Sequence, residues 1–569
     1  MPTRSDAAFR HLRRLMTKAA EQHRHPSRGL SLQTLEARCL LAADAVLYWN
    51  ALALDAVAND HTPALVSTAD QGGPTRTSRA LAIVHVAMYD ALNSIEGAHK
   101  PYLVAKGGSG RASKEAAVAQ AAHDTLAALY PQQRALFDAA LHAVLDEIPN
   151  GRAENEGVAV GRFVARKILL ARQNDGFDAE VDHVLGTDPG DHRVDPLHPD
   201  QGLLTPHWGK VQPFAMTHGS QFRVPGPPEL TSEEYAAAYN EVKRLGDVNS
   251  AERTDEQTEI GIFWGYDGTP GLGTPPRMLN QIARTIAIDQ GNTMSQNARL
   301  LALVNVAMAD AGIASWDSKY EYDFWRPIVA IRQEATVSDA GGMDGNLATA
   351  GDAGWTPLGA PASNQGGTNF TPPFPAYTSG HATFGAATFR SIAHFYGTDQ
   401  LAFSFTSDEF NGVTTDQFGV VRPVVTRSYN SLSEASQENA DSRIYLGIHW
   451  RFDATDGIVQ GNAIADHVFA RLFQPLVVNW SGHPARPPQG GSPGAGDPGG
   501  GRPSGPQSPE PRRVAHMAAY VRETPAPSAA RGQVTRQTPL KAGHVDGVLA
   551  DAQGLRDVLE PVLPQVRLG

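Results

Sequence analysis

The chain has one cysteine, Cys39, in 569 residues. No intrachain disulfide framework is therefore available, and a lone thiol leaves the redox compartment open. Basic residues are in the minority. The 48 Lys and Arg against 60 Asp and Glu give a net charge of −12, which argues against a general nucleic-acid or anionic-membrane binder, since such surfaces need a cationic excess. No apolar run reads as approaching the roughly 20 residues that span a bilayer, so no transmembrane segment is expected. Strand patterns are scarce as well: Val420–Val425 (VVRPVV) is interrupted by Pro423 and reads as an edge piece at best. No internal repeat of fixed period stands out.

What the chain does have is helical periodicity. Leu81, Val84, Ala87 and Met88 form one stripe, and Leu300, Leu301, Val304, Ala307, Met308 and Ala311 form another. Further helical stretches are expected at 113–129, 134–147, 155–173, 232–245, 254–264, 277–289, 380–396, 431–446 and 456–474. Many amphipathic helices with little strand predict a mainly α fold of helical bundles, arranged as two four-helix-bundle-like halves. Long loops at 176–230 and 336–378 are expected to wrap that core. Residues 1–44 read as a leader or a disordered tail: Arg10, Arg13, Arg14 and Lys18 precede Leu35–Ala45 (LEARCLLAADA). That stretch resembles the Leu-Glu-x-Arg-x-Leu-Leu leader of predicted exported bacterial proteins, so export or cell-surface retention is expected, with a cytoplasmic tail as the alternative. Residues 45–478 read as the globular part. A Pro/Gly-rich linker at 479–512 and a disordered tail at 513–569 are expected to follow.

Three motifs carry chemistry. In the first, Lys319 and Arg326 are separated by six residues and followed by Pro327. On a continuous helix the two cations would point the same way; alternatively Pro327 starts a new helix with Arg326 at its edge. Alone, such a pair is usually a solvated face. In the second, Ser379, Gly380 and His381 open a helical run. A helix N-terminus offers N–H groups to an oxyanion, Gly380 allows close approach, and His381 can act as acid or base. An ordinary serine cap with an incidental histidine is the plain alternative. In the third, Arg443 precedes His449 by six positions, about 240° of rotation, so the two cannot share one face of a straight helix. Gly447 offers the break, and Asp453 is placed to accept an imidazole N–H from His449. Together the motifs supply three cations, a hydroxyl, a backbone N–H and two histidines, which is what a tetrahedral or trigonal-bipyramidal oxyanion requires.

The set Lys-x6-Arg-Pro, Ser-Gly-His and Ser-Arg-x5-His resembles the signature of the type 2 phosphatidic acid phosphatase and haloperoxidase superfamily. The context is similar to its soluble vanadium haloperoxidase branch, chloroperoxidase-like. Trp316 and Phe374 match positions flanking the vanadate, and Phe263–Pro270 with Thr274–Arg277 resembles the same branch. A bromoperoxidase-like site would be expected to carry histidine in place of Phe374, and Thr378 stands where the family usually has proline. The resemblance is strongest over 255–460. It implies a vanadate cofactor, with phosphate able to occupy the same site, and His449 as the axial metal ligand. Lys319, Arg326, Arg443, Ser379 and Gly380 would hold the oxygens, and Asp267 would pair with Arg443. His381 would be the acid/base, Lys319 would polarise bound peroxide, and Trp316 and Phe374 would flank the halide pocket. The implied partners are hydrogen peroxide, a halide and a small organic acceptor. A soluble phosphatase forming a phosphohistidine at His449 and an inactive oxyanion-binding scaffold are the alternatives.

Two further features carry plain readings. The Asp- and His-rich stretch 182–200 lacks clean ligand spacing and reads as a solvated surface loop. His85, on an apolar helix, reads as a satisfied core histidine.

Overall fold

A computed structural model describes residues 44–105, 109–334 and 342–476. The expectations for residues 1–43, for the linker and for the C-terminal tail lie outside these residues. Asp44 caps the first helix, α1 (Ala45–Asp60), its carboxylate accepting from Val46 N at 2.9 Å and Leu47 N at 3.1 Å. α2 (Gly73–Glu96) starts with proline in its first turn and ends at left-handed Gly97. Then come α3 (Lys114–Leu129), α4 (Arg134–Asp146) and α5 (Arg152–Arg172). α2, α3 and α5 pack on one another and α4 rests on α3, completing a first bundle.

A long irregular stretch follows, broken by two 3-10 turns at Trp208–Lys210 and Gly219–Phe222. Beyond it lie α6 (Glu233–Leu245), α7 (Asp255–Phe263), α8 (Pro275–Asp289), α9 (Met294–Tyr322) and α10 (Pro327–Glu334). α11 (Gly380–Tyr396) leads into a two-stranded antiparallel sheet of β1 (Phe403–Asn411) and β2 (Val424–Tyr429), in which Phe403 faces Tyr429. α12 (Leu432–Tyr445) and α13 (Arg451–Arg471) close the described chain.

The second bundle is α9, α11, α12 and α13. Its tightest pair, α11 and α13, meets through glycines: a Cβ at Gly461 would stand 2.3 Å from the Thr383 carbonyl oxygen. α9 belongs to this bundle and also lies along α2, so the two halves share one continuous apolar core. That explains the length of α9 and corrects the reading of apolar runs. By length and composition α9 could cross a membrane, the one such helix among the described residues, yet 94% of its apolar window is buried in the protein. A capping box of Thr293 with Gln296 starts it, and Asp323, at φ 45°, ends it.

The helices are mostly where periodicity places them, and the departures are few. α1 and β1 had no expectation attached to them, and α13 begins at Arg451 rather than 456 because the Asp453 carboxylate caps its first turn by accepting from Trp450 N at 3.0 Å. β2 begins after Pro423, so the proline precedes the strand.

Candidate functional site

α9 ends before Arg326, and α10 begins after it. Of the two geometries open to the first motif, the broken helix is the one observed. Lys319 sits in the last turn of α9, fully buried, and its three N–H donors reach the carbonyls of Pro375 (2.8 Å), Ala376 (3.0 Å) and Thr378 (2.6 Å). An ammonium has three donors. All are engaged, so Lys319 bears on the site by its charge and by holding this loop. Arg326 donates to Phe374 O at 2.9 Å and Ile448 O at 2.8 Å, and its Nη1 lies 2.9 Å from His449 Nε2.

Ser379 is the N-cap of α11, as the plain reading of that serine has it, although the Oγ–Ala382 N contact is long at 3.5 Å. It leaves the hydroxyl proton for another acceptor. Gly380 takes the first helical position, where the N–H has no acceptor within the helix. α13 presses against this end of α11, and Ser379 N donates to Asp453 O at 2.9 Å. His381 Nε2 lies 2.8 Å from Gly265 O. A carbonyl only accepts, so Nε2 carries the proton and Nδ1 is the basic nitrogen.

Arg443 lies in the last turn of α12 and donates from Nη2 to both oxygens of Asp267, at 2.7 and 3.0 Å. Gly447, at φ 74°, then turns the chain so that His449 faces the same space. Asp453 Oδ2 accepts from His449 Nδ1 at 2.8 Å, so the Nε2 lone pair faces Arg326. The segment carrying Gly265 and Asp267 is held from behind by the hairpin. Buried Glu409 accepts from Tyr266 N at 3.1 Å and from Arg422 at 2.6 Å.

Asp267, Gly380, His381, Arg443 and His449 line a cavity of about 280 Å3, while Lys319, Arg326 and Ser379 are not in its lining. Trp316 and Phe374 form its apolar wall, their ring centroids 4.8 Å apart. The electrostatics are those of an anion site. Burial, then the charges of Arg443 and Arg326, pulls His381 well below the usual imidazole range; burial, then Arg326, Lys319 and Arg443, does the same to His449. Lys319 is pulled down by burial and by Arg326. Burial pushes Asp453 up to about 7, against the pull of Lys319 and Arg326. Arg326 Nη2 and Arg443 Nε and Nη1 are buried with no hydrogen-bond partner. Three orphaned guanidinium N–H-bearing atoms, the Gly380 N–H, the Ser379 hydroxyl and the His449 lone pair fit an oxyanion of the vanadate or phosphate type.

Sequence reasoning missed the carbonyls that hold Lys319 and His381, because a backbone acceptor has no side-chain signature. It also misplaced His192. The stretch 182–200 is exposed at Asp182, Asp188 and Asp200, but His192 and Asp195 are buried. His192 N donates to Asp323 O at 2.6 Å, and burial, then Arg326 and Lys319, takes its pKa down to about 3. The loop is thus strapped beside the site rather than solvated throughout. No cluster of three metal-ligating side chains exists among the described residues. His85 is a core histidine, 2.7 Å from Leu81 O and 3.0 Å from Asn50 Nδ2.

Fold and site together define a helical-bundle protein with a buried oxyanion cradle. Comparison with known proteins then specifies the family. A model of the vanadium chloroperoxidase N-terminal domain matches residues 39–201, and one of the second helical-bundle domain matches 299–477. Vanadium chloroperoxidase of Curvularia inaequalis is 33% identical over 500 residues, covering 72% of this chain and 79% of that protein. The crystal structure of a bacterial vanadium-dependent iodoperoxidase superposes with a TM-score of 0.59 at 25% identity, over 74% of this chain and 96% of that one. A holo-type bacterial vanadium-dependent chloroperoxidase shares the fold, with a TM-score of 0.56 at 18% identity over 72% and 93%. The chain belongs to the vanadium chloroperoxidase family of vanadium-dependent haloperoxidases.

Proposed function

We propose that this protein is a vanadate-dependent haloperoxidase that uses hydrogen peroxide to oxidise halide to hypohalous acid, which halogenates organic acceptors. The observation that carries the reading is the pairing of unpartnered buried arginine donors with a histidine lone pair fixed by Asp453. Arg326, Arg443, Ser379 and the Gly380 N–H would hold the oxygens of vanadate, and His449 Nε2 would be the metal ligand. When bound, vanadate supplies a Lewis acid that activates peroxide without changing its own oxidation state.

The chain's own part is positional and electrostatic. Asp453 keeps His449 in the tautomer with an unprotonated Nε2, whose lone pair accepts from Arg326 Nη1 at 2.9 Å. Lys319 adds positive charge behind the bound oxygens and pins the Pro375–Thr378 backbone. His381 is kept unprotonated by burial and by the charge of Arg443, and with its Nε2–H bonded to Gly265 O it leaves the Nδ1 lone pair to take the proton that peroxide gives up on entering the site. Asp267 holds Arg443 in register with that histidine, its Oδ1 lying 4.0 Å from His381 Nε2. Trp316 and Phe374 keep the halide side of the cavity apolar.

The test is an assay of metal-stripped protein with and without orthovanadate. Halogenation with bromide and peroxide is read beside hydrolysis of an aryl phosphate. Vanadate-dependent halogenation that is lost in His449→Ala is the expected result. Phosphate hydrolysis blocked by vanadate, without halogenation, would make the protein a phosphatase acting through His449. Neither activity would leave an oxyanion-binding scaffold.

A further inference from the structure

The cavity is larger than its anion donors need. A cavity of roughly 150 Å3 lined by apolar side chains accommodates a benzene ring, and this one measures about 280 Å3. Away from the oxyanion donors its walls are apolar, formed by Leu204, Phe370, Pro372 and Phe384 beside the Trp316–Phe374 pair. Two hydroxyl side chains are in the lining: that of Tyr266 is engaged, donating to Gln281 Oε1 at 3.0 Å and accepting from Asp408 N at 2.8 Å, and that of Thr274 is not. Thr274 is 1% exposed, lines the cavity, and its Oγ1 has no hydrogen-bond partner.

The position of Thr274 makes that orphan unusual. It is the N-cap of α8, a place where a threonine hydroxyl ordinarily accepts from the backbone two or three residues on. Here no side-chain cap bond forms: Pro276 removes one of the two N–H groups it would serve, and the other, Arg277 N, donates to the Thr274 carbonyl at 2.9 Å. The nearby polar ring of His61 is already spent, with Nδ1 2.8 Å from Val57 O and Nε2 accepting from Gly73 N at 3.1 Å. A buried hydroxyl without a partner costs stability, so its retention in an apolar wall points to a ligand.

We propose that the outer part of this cavity binds a neutral phenolic acceptor, its ring against the apolar wall and its hydroxyl on Thr274 Oγ1. The proposal rests on the haloperoxidase reading for the source of its electrophile, hypohalous acid. A threonine hydroxyl both donates and accepts, as a phenol does. A cationic acceptor would be repelled by Arg326 and Arg443, and an anionic one would be drawn to the donors at the cavity floor. The phenol oxygen also activates the ring. A carbon ortho or para to it supplies the electron pair that takes the halogen from hypohalous acid. The displaced ring proton leaves with the hydroxide as water, giving halophenol and water. Halogenation then occurs on a held substrate rather than in bulk solution.

The test compares vanadate-loaded wild type, Thr274→Val and Thr274→Ser with phenol and with anisole, which lacks the donor hydrogen. Binding is read by saturation-transfer NMR, independently of turnover. Phenol KM and the ortho-to-para product ratio are read beside iodide oxidation by the same preparations. The expected result is phenol binding by wild type and Thr274→Ser, and a KM about tenfold higher in Thr274→Val, the size of one lost neutral hydrogen bond. The wild-type product ratio should differ from that of reagent hypobromous acid. Equal phenol binding and KM in all three proteins, with the reagent's product ratio, would overturn the proposal. Absence of vanadate-dependent iodide oxidation in wild type would instead sink the peroxidase reading, while the NMR arm would still decide whether Thr274 holds a phenol.

Discussion

Three buried histidines show how environment assigns roles to one side chain. His449 and His381 each have one nitrogen tied to an acceptor and the other turned to the site. His85 has both nitrogens tied inside the core. The motif spacing made the first two legible, because Gly447 and the Ser379–Gly380 pair announce a turn and a helix start. His192 was illegible, since nothing in a Gly- and Asp-rich stretch says which member of it will be buried. His85 also carries a pH prediction. Burial takes it from 6.5 down to about 4, so below 6.5 the unfolded chain gains a proton that the folded one refuses. Its contribution is therefore present above pH 6.5 and is lost as pH falls through about 4. By linkage it amounts to about 3 kcal/mol at most. In His85→Gln, urea denaturation should show a correspondingly shallower loss of stability between pH 6.5 and 4.

Helices such as α5 and α6 were readable because they bury one stripe on a 3.6-residue period, α2 and α9 from long apolar runs that are buried nearly all round, and several ends because caps such as Ser379 and Thr293 precede them. β1 was not readable. Its burial does alternate at first, but the sequence FSFTSDEFN sets two buried polar residues, Ser407 and Glu409, where apolar ones are expected. Glu409 is there to hold the segment bearing Gly265 and Asp267, so function obscured the pattern. Packing of α11 on α13 was equally hidden, since a glycine in a helix signals weakness until its neighbour is known. Gly461→Ala should destabilise the protein by roughly 1–3 kcal/mol, because the obstructing Thr383 oxygen is backbone and cannot step aside. Chemical denaturation would measure it. Halogenation should fall as well, as α11 carries Ser379, Gly380 and His381.

The residues of the site are drawn from Asp267 to His449, across the second bundle and the loops that wrap it, so a bound oxyanion ties these segments together. Phosphate at one hundred times its dissociation constant should add about 3 kcal/mol to the stability of metal-stripped protein. Thermal melts with phosphate at pH 7 and pH 9 would read it. The gain at a fixed phosphate concentration should be larger at pH 7. An anion raises the depressed pKa values of His381, His449 and Lys319, so binding draws protons in and tightens as pH falls.

His61, just after α1, and Gly73 and Pro74, the first turn of α2, line the cavity, yet the first bundle contributes none of the oxyanion donors. The lining of the cavity therefore draws on both halves of the molecule, while the cradle draws on one alone. Selection can rework the first bundle's share of the lining without endangering the cradle, and a lineage built this way can diversify its substrates while its reaction stays fixed.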